Sequence, residues 1–88
     1  MLEKTLTIKN RLGLHARPAA LFAQTASRYQ AAVKVCRDDL EVNGKSVMGL
    51  MMLAAEQGCK LRIIIEGQDE KQALKDIEAL FDKKFDED

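Results

Sequence analysis

The chain has 88 residues and a mass of 9.9 kDa, a length that suits one domain with one hydrophobic core. We therefore predict a single domain over residues 1–88. Hydrophobic residues make up 47% and charged residues 32% of the chain, which is typical of a folded protein. Lysine plus arginine equal aspartate plus glutamate at 14 each, so no excess of positive charge favours nucleic acid or an anionic membrane as a partner.

Neither a membrane segment nor a metal site is expected. The longest apolar stretch, residues 47–55, falls short of the roughly 20 residues of a membrane-spanning helix. Charged residues near the amino terminus interrupt any secretory signal, which favours a cytoplasmic protein. Cys36 and Cys59 lie far apart with no second Cys or His beside either, so we expect reduced thiols, no metal and no cofactor.

The first third of the chain predicts a strand, a turn and a helix. An opening strand is predicted because Leu2, Leu6 and Ile8 alternate with polar residues. A turn follows at residues 10–13. A first helix over residues 16–28 is predicted from an apolar stripe at helical spacing. The stripe consists of Ala19, Phe22, Ala23, Ala26 and Tyr29.

The middle of the chain predicts a hairpin followed by a second helix. Val33 and Val35 mark a second strand, Leu40 and Val42 mark a third, and the polar residues 37–39 form the turn between them. Ser46 is suited to cap the second helix, and Gly58 to end it. The apolar residues of that helix are Val47, Leu50, Met51 and Ala54.

A fourth strand and a last helix complete the chain. The strand is predicted from the alternation of Leu61, Ile63 and Ile65 with their neighbours. Asp69 and Gln72 have the spacing of a capping box. The inward stripe of the last helix consists of Ala73, Ile77, Leu80 and Phe81, and Lys83 and Lys84 suit its carboxyl end.

The predicted fold is an α+β open-faced sandwich of order βαββαβα. Each strand has one apolar face, so a four-stranded antiparallel sheet should carry all three helices on one side and leave its other side exposed.

The start of the first helix is the candidate site. His15 is the single histidine, and Pro18 requires the helix to begin close to Ala16, because proline is tolerated in a first turn. His15 is then the amino-terminal cap. The free amides of Ala16 and Arg17 can bind an anion held on the His15 ring, and the Arg17 guanidinium matches phosphate oxygens.

These residues leave two interpretations open. A neutral imidazole can attack phosphorus without a separate base, but a histidine before a helix is also commonly a plain cap or surface residue. No Asp or Glu lies in the His15 turn to orient the ring, so an independent hydrolase is poorly supported. Leu14 is expected to offer apolar surface beside the site.

Residues 13–19, Gly-Leu-His-Ala-Arg-Pro-Ala, resemble the phosphohistidine signature of the HPr family of the bacterial phosphotransferase system. The similarity continues through residues 24–27 and 43–50 and covers essentially the whole chain. It implies that His15 receives phosphate from enzyme I and passes it to an enzyme II A component, through the ring nitrogen nearer the main chain. It also implies that Arg17 assists, and that the chain is a carrier without turnover of its own.

Two further inferences rest on the resemblance. Ser46 corresponds to the family's regulatory serine, a substrate for an HPr serine kinase/phosphorylase, although a serine there is also an ordinary helix cap. A docking face for successive partners would combine Leu14, Val47, Met48 and Met51 with Arg17, if the starts of the first and second helices lie together as in the family. A monomer is expected.

The branch of the system is left open by the sequence. Residues 50–53 and 79–88 resemble the nitrogen-related form, which we favour, whereas residues 43–49 resemble the sugar-related form found with a serine kinase. A purely regulatory binding module without phosphate carriage is a further alternative, and a nucleic-acid module is disfavoured by the neutral charge and the 5% aromatic content.

Overall fold

The computed structural model describes residues 1–87. Within them, strands and helices follow the predicted order βαββαβα. The elements are β1 (Leu2–Thr7), α1 (Ala16–Ser27), β2 (Ala32–Arg37), β3 (Leu40–Asn43), α2 (Val47–Met52), β4 (Lys60–Glu66) and α3 (Glu70–Asp82), followed by a single 3₁₀ turn at Lys84–Asp86.

The strands form one antiparallel sheet in the order β1-β4-β2-β3. On the central strand β4, Ile63 pairs with Val35 and Ile65 pairs with Val33, so apolar side chains of adjacent strands share a face. These four residues are buried, while Lys34 and Arg62 on the opposite face are exposed. The predicted open-faced sandwich is therefore confirmed.

The helices cover the apolar face with the predicted stripes. Phe22 of α1 and Phe81 of α3 are buried and meet edge to face with ring centroids 6.2 Å apart, a favoured aromatic geometry. The Tyr29 hydroxyl, just beyond α1, donates a hydrogen bond to the Asp76 carboxylate of α3. The aromatic contact and this hydrogen bond join the first and last helices across the core.

Two predictions about helix ends were wrong. α2 ends at Met52, where Ala54 turns left-handed with φ 49°, and Gly58 instead lies before β4 and donates its amide to the Ile8 carbonyl at 2.8 Å. Asp69 occupies the N-cap position of α3, but its side chain makes no capping bond; its carboxylate accepts hydrogen bonds from the amides of Gln30 and Ala31, both at 2.9 Å. The Gly58 amide and the Asp69 carboxylate thus form hydrogen bonds with segments that are distant in sequence, and not with the ends of α2 and α3.

No helix within residues 1–87 is both long enough and apolar enough to cross a membrane. Cys36 is buried and Cys59 half-buried, and both are free thiols. Over the same residues, no three His, Cys, Asp or Glu side chains are grouped so as to hold a metal ion.

Candidate functional site

His15 occupies the N-cap position of α1, as the position of Pro18 predicts. Its backbone is extended (φ −81°, ψ −169°), and its carbonyl accepts the first helical hydrogen bond from the amide of Ala19 at 2.9 Å. The His15 side chain makes no capping bond. The amides of Ala16 and Arg17 donate to no acceptor within residues 1–87, which leaves them available to an anion beside the ring.

A close approach between two loops fixes the segment that leads into α1. Gly13 has φ +75°, and a Cβ at this position would collide with the Ala55 carbonyl. The next amide, that of Leu14, donates to the same carbonyl at 2.8 Å. Glycine is required here because both the positive φ and the narrow gap exclude a side chain.

The imidazole of His15 is held by a carboxylate from the far end of the chain. Its Nε2 lies 3.1 Å from Oε1 and 3.0 Å from Oε2 of Glu87, a residue 72 positions later in the sequence. The Asn10 amide nitrogen donates to the same Oε1 at 3.1 Å and to the Gly13 carbonyl at 2.7 Å. The other ring nitrogen, Nδ1, makes no hydrogen bond with the part of the chain that is described.

The surroundings keep the Glu87 carboxylate ionised. Burial raises the pKa of Glu87, but hydrogen bonds from His15 and Asn10 outweigh that effect and hold the pKa below the usual glutamate value. The nearby charge of Arg17 acts in the same direction. An ionised carboxylate only accepts hydrogen bonds, so the proton shared with His15 belongs to Nε2.

A shallow cavity opens beside this pair. It is lined by Arg11, Leu12, Arg17, Asp86 and Glu87. Two guanidinium groups and two carboxylates thus border a space next to the exposed first turn of α1. Guanidinium groups of this kind bind phosphate through paired hydrogen bonds.

Sequence reasoning missed Glu87, Asn10, Arg11 and Leu12 as members of the site. The His15 turn indeed contains no acidic residue, but the carboxylate that orients the ring is the side chain of Glu87, near the carboxyl end of the chain. No periodicity or capping pattern links positions that far apart. An alignment of homologues could have suggested the pair; the single sequence could not.

Two expectations about the docking face were wrong. The side chain of Leu14 belongs to the core, since the residue is only 3% exposed, and it therefore offers no apolar surface. The starts of α1 and α2 also do not lie together: Leu14, before α1, bonds to Ala55, beyond α2, while Lys45, before α2, donates to the Tyr29 carbonyl beyond α1. The amino-terminal end of α1 therefore lies beside the segment that follows α2.

The remaining predicted residues lie on or near α2. Ser46 is its N-cap, with Oγ accepting a hydrogen bond from the Gly49 amide at 3.0 Å, as predicted. Met48 is 74% exposed and Met51 is also exposed, while Val47 is half-buried against the core. Ser46 therefore lies at the end of α2 that is remote from His15.

Known proteins are similar to this chain in sequence and in fold. Residues 2–83 match the family PTS-HPr, the PTS HPr component phosphorylation site. The phosphocarrier protein HPr of Treponema pallidum is 49% identical over 87 residues, 99% of each chain, and the HPr-like protein Crh of Halalkalibacterium halodurans is 43% identical over 83 residues, 94% of this chain and 99% of that one. The crystal structure of HPr-C-His from Thermoanaerobacter tengcongensis superimposes with a TM-score of 0.95 at 48% identity, covering 100% of this chain and 99% of that one. This chain, with its exposed histidine at the start of α1, therefore belongs to the HPr family of phosphocarrier proteins of the phosphotransferase system.

Proposed function

We propose that His15 accepts a phosphoryl group from enzyme I in the cytoplasm and passes it to an enzyme II A component. The observation that carries this proposal is the position of the ring. The His15 side chain is 38% exposed at a helix start, beside two amides with no acceptor in residues 1–87. Both a donor and an acceptor protein can reach it there.

Nδ1 is the reacting nitrogen in this proposal. Nε2 is engaged by Glu87, whereas Nδ1 is free of hydrogen bonds to residues 1–87. The Nδ1 lone pair forms the bond to phosphorus as the bond between phosphorus and the donor breaks. Because neutral imidazole is itself the nucleophile, no proton has to be removed first.

The first turn of α1 would hold the phosphoryl oxygens. The amides of Ala16 and Arg17 supply hydrogen bonds, and the exposed Arg17 guanidinium supplies a charged fork. A helix start stabilises an anion by about 0.3–1 kcal/mol, rising to about 2 kcal/mol in partly buried geometries. Stabilisation of this size suits a carrier, because the group must be released to the next protein.

The test is incubation with phosphoenolpyruvate and enzyme I, followed by a search for acid-labile phosphate on the chain. We expect stoichiometric labelling of the wild-type protein and none of His15→Ala. The variant should still fold, since the His15 side chain makes no capping bond and its loss removes only one of the hydrogen-bond partners of Glu87. Labelling that persists in folded His15→Ala would disprove the assignment.

We propose that partners bind in turn at one apolar face of the monomer, formed by Val47, Met48 and Met51. The buried Leu14 is not part of it. A standard footprint of about 800 Å² is a modest part of the 5203 Å² surface. Methionine side chains are flexible and polarisable, so they adapt to partners of different shape.

We propose in addition that Ser46 is a regulatory site, phosphorylated by an HPr serine kinase/phosphorylase, and that the carrier serves the nitrogen-related branch. Residues 50–53 and 79–88 support that branch, and residues 43–49 support sugar uptake as the alternative. Phosphoryl transfer to purified enzyme II A components of each branch decides between them: faster transfer to the sugar-specific component would contradict the nitrogen assignment.

A binding module that responds to Ser46 phosphorylation without carrying phosphate is the second candidate, and the similarity to Crh of Bacillus subtilis, which is named a catabolite repression HPr, supports a regulatory role. It predicts no acid-labile phosphate in the enzyme I experiment, so the same measurement separates the two functions.

A further inference from the structure

The carboxyl-terminal turn has an uncommon backbone conformation. Lys84, Phe85 and Asp86 are consecutive left-handed residues, with φ of 55°, 53° and 60°, a conformation that residues other than glycine rarely adopt. Phe85 holds the turn in place, because its side chain is fully buried and its ring centroid lies 5.1 Å from that of Phe81. Backbone hydrogen bonds from Asp86 to Lys83 and from Glu87 to Lys84 close the turn.

The turn places the Glu87 carboxylate beside Nε2 of His15. The Glu87 side chain is only 16% exposed, and its oxygens contact His15 Nε2 and the amide nitrogen of Asn10. Asn10 is itself fully buried and tied to the loop before α1 through the Gly13 carbonyl. The carboxylate is thus anchored from two sides while it faces the ring.

We infer that Glu87 is a positioning residue for phosphoryl transfer, which holds the proton on Nε2 of His15 and so presents the Nδ1 lone pair to phosphorus. This inference rests on the proposed function. A neutral imidazole carries one proton, and the nitrogen that donates it is set by the partner of that proton. With an ionised carboxylate at Nε2, the unprotonated nitrogen is Nδ1.

The same contact serves both directions of transfer. When Nδ1 bonds to phosphorus and the donor leaves, the Nε2 proton stays in place and the ring gains positive charge, which the Glu87 carboxylate balances. When the phosphoryl group moves on, the Nδ1–phosphorus electron pair returns to Nδ1 and the leaving group is again neutral imidazole. No proton is gained or lost in either step.

The other charged groups around the cavity are Arg11, Arg17 and Asp86. Asp86 is exposed and makes no hydrogen bond to His15. It is therefore a matched control: Asp86→Asn removes one negative charge next to the site and tolerates the left-handed backbone, whereas Glu87→Ala removes the carboxylate that touches the ring. Glu87→Gln keeps a hydrogen-bond acceptor and removes only the charge.

The experiment combines ¹⁵N NMR of the His15 ring at a pH where it is neutral with transfer rates from enzyme I. We expect the wild type and Asp86→Asn to hold the proton on Nε2, and Asp86→Asn to lose less of the transfer rate than Glu87→Ala. Glu87→Ala should show a mixture of the two tautomers and slower transfer, because part of the protein then carries the proton on Nδ1 and the charge on the phosphorylated ring is no longer balanced. Glu87→Gln should lie between them.

Three results would overturn the inference. They are an unchanged tautomer in Glu87→Ala, a changed tautomer with an unchanged transfer rate, and an equal loss of rate in Asp86→Asn. The amide signals of residues 84–86 report whether the turn itself survives in each variant. Because the tautomer is measured on unphosphorylated protein, failure of the wild type to accept phosphate would disprove the proposed function without affecting that readout.

Discussion

Replacing Ser46 by Asp tests whether charge at the start of α2 acts through folding or through docking. The Ser46 hydroxyl accepts one hydrogen bond, from the Gly49 amide, and loss of such a cap costs about 0.5–2 kcal/mol. An aspartate keeps the acceptor and adds a negative charge at the positive end of the helix, worth about 0.3–1 kcal/mol. The first turn of α2 contains no acidic residue, so this charge meets no like charge there.

The expected order of melting temperature is therefore Ser46→Asp at or above wild type, and Ser46→Ala below it. For a domain of this size 1 kcal/mol shifts the melting temperature by about 4–8 °C, so both differences are measurable. Ser46→Asn is the matched control, because it caps the helix without charge.

Acceptance of phosphate from enzyme I should respond differently. The charge adjoins Val47 and the exposed Met48, which a partner must cover, so Ser46→Asp should accept about tenfold more slowly, equivalent to about 1.4 kcal/mol. Ser46→Asn should accept at the wild-type rate, and the deficit of Ser46→Asp should shrink as salt screens the charge. A lower melting temperature for Ser46→Asp than for Ser46→Asn would refute the stabilising role of the charge, and equal rates would reduce Ser46 to a cap.

Further predictions concern the docking face, the phosphate cradle and the turn after α1. Leu14→Ala should lower the free energy of unfolding by about 2–5 kcal/mol, as for other buried leucines, and leave the transfer rate of the folded protein unchanged. Met48→Ala should slow transfer and leave the free energy of unfolding unchanged. A Leu14→Ala protein as stable as the wild type would contradict the burial of that side chain. Arg17→Ala should slow transfer in both directions without abolishing it, and Arg17→Lys should recover part of the rate because the charge returns without the fork; rates equal to wild type would make Arg17 a plain surface residue. The amides of Gln30 and Ala31 lower the pKa of Asp69, so its contribution to stability is present above the ordinary aspartate pKa and is lost as pH falls through the lowered folded value. Thermal melts of wild type and Asp69→Asn should therefore converge in acid, and a gap that widens on acidification would contradict this.

The fold could largely be predicted because its signals are local. Strand alternation, such as Leu61, Ile63 and Ile65, depends only on neighbouring residues that share a face. The start of α1 follows from Pro18, which a helix interior would exclude, and the start of α2 follows from a serine whose hydroxyl reaches an amide three residues on. Strand alternation, the placement of proline and capping by serine each depend only on residues a few positions apart in the sequence.

Helix ends and side-chain burial were decided by tertiary contacts. α2 could have continued towards Gly58, but the chain turns at Ala54, and the following Ala55 carbonyl meets the loop before α1. Asp69 lies at the start of α3, where its carboxylate could have capped the helix, but that carboxylate accepts hydrogen bonds from the amides of Gln30 and Ala31 after α1 instead. Leu14 is adjacent to an exposed histidine in sequence and lies in the core in space.

By itself, the sequence determined the order of elements, the exposed histidine at a helix start and the capping serine. Only the tertiary structure brought Glu87 to Nε2 of His15, since that contact depends on a left-handed turn that local preferences oppose. Burial of Phe85 against Phe81 overrides those preferences. The orientation of the reactive ring therefore depends on packing between the two ends of the chain, which no local pattern records.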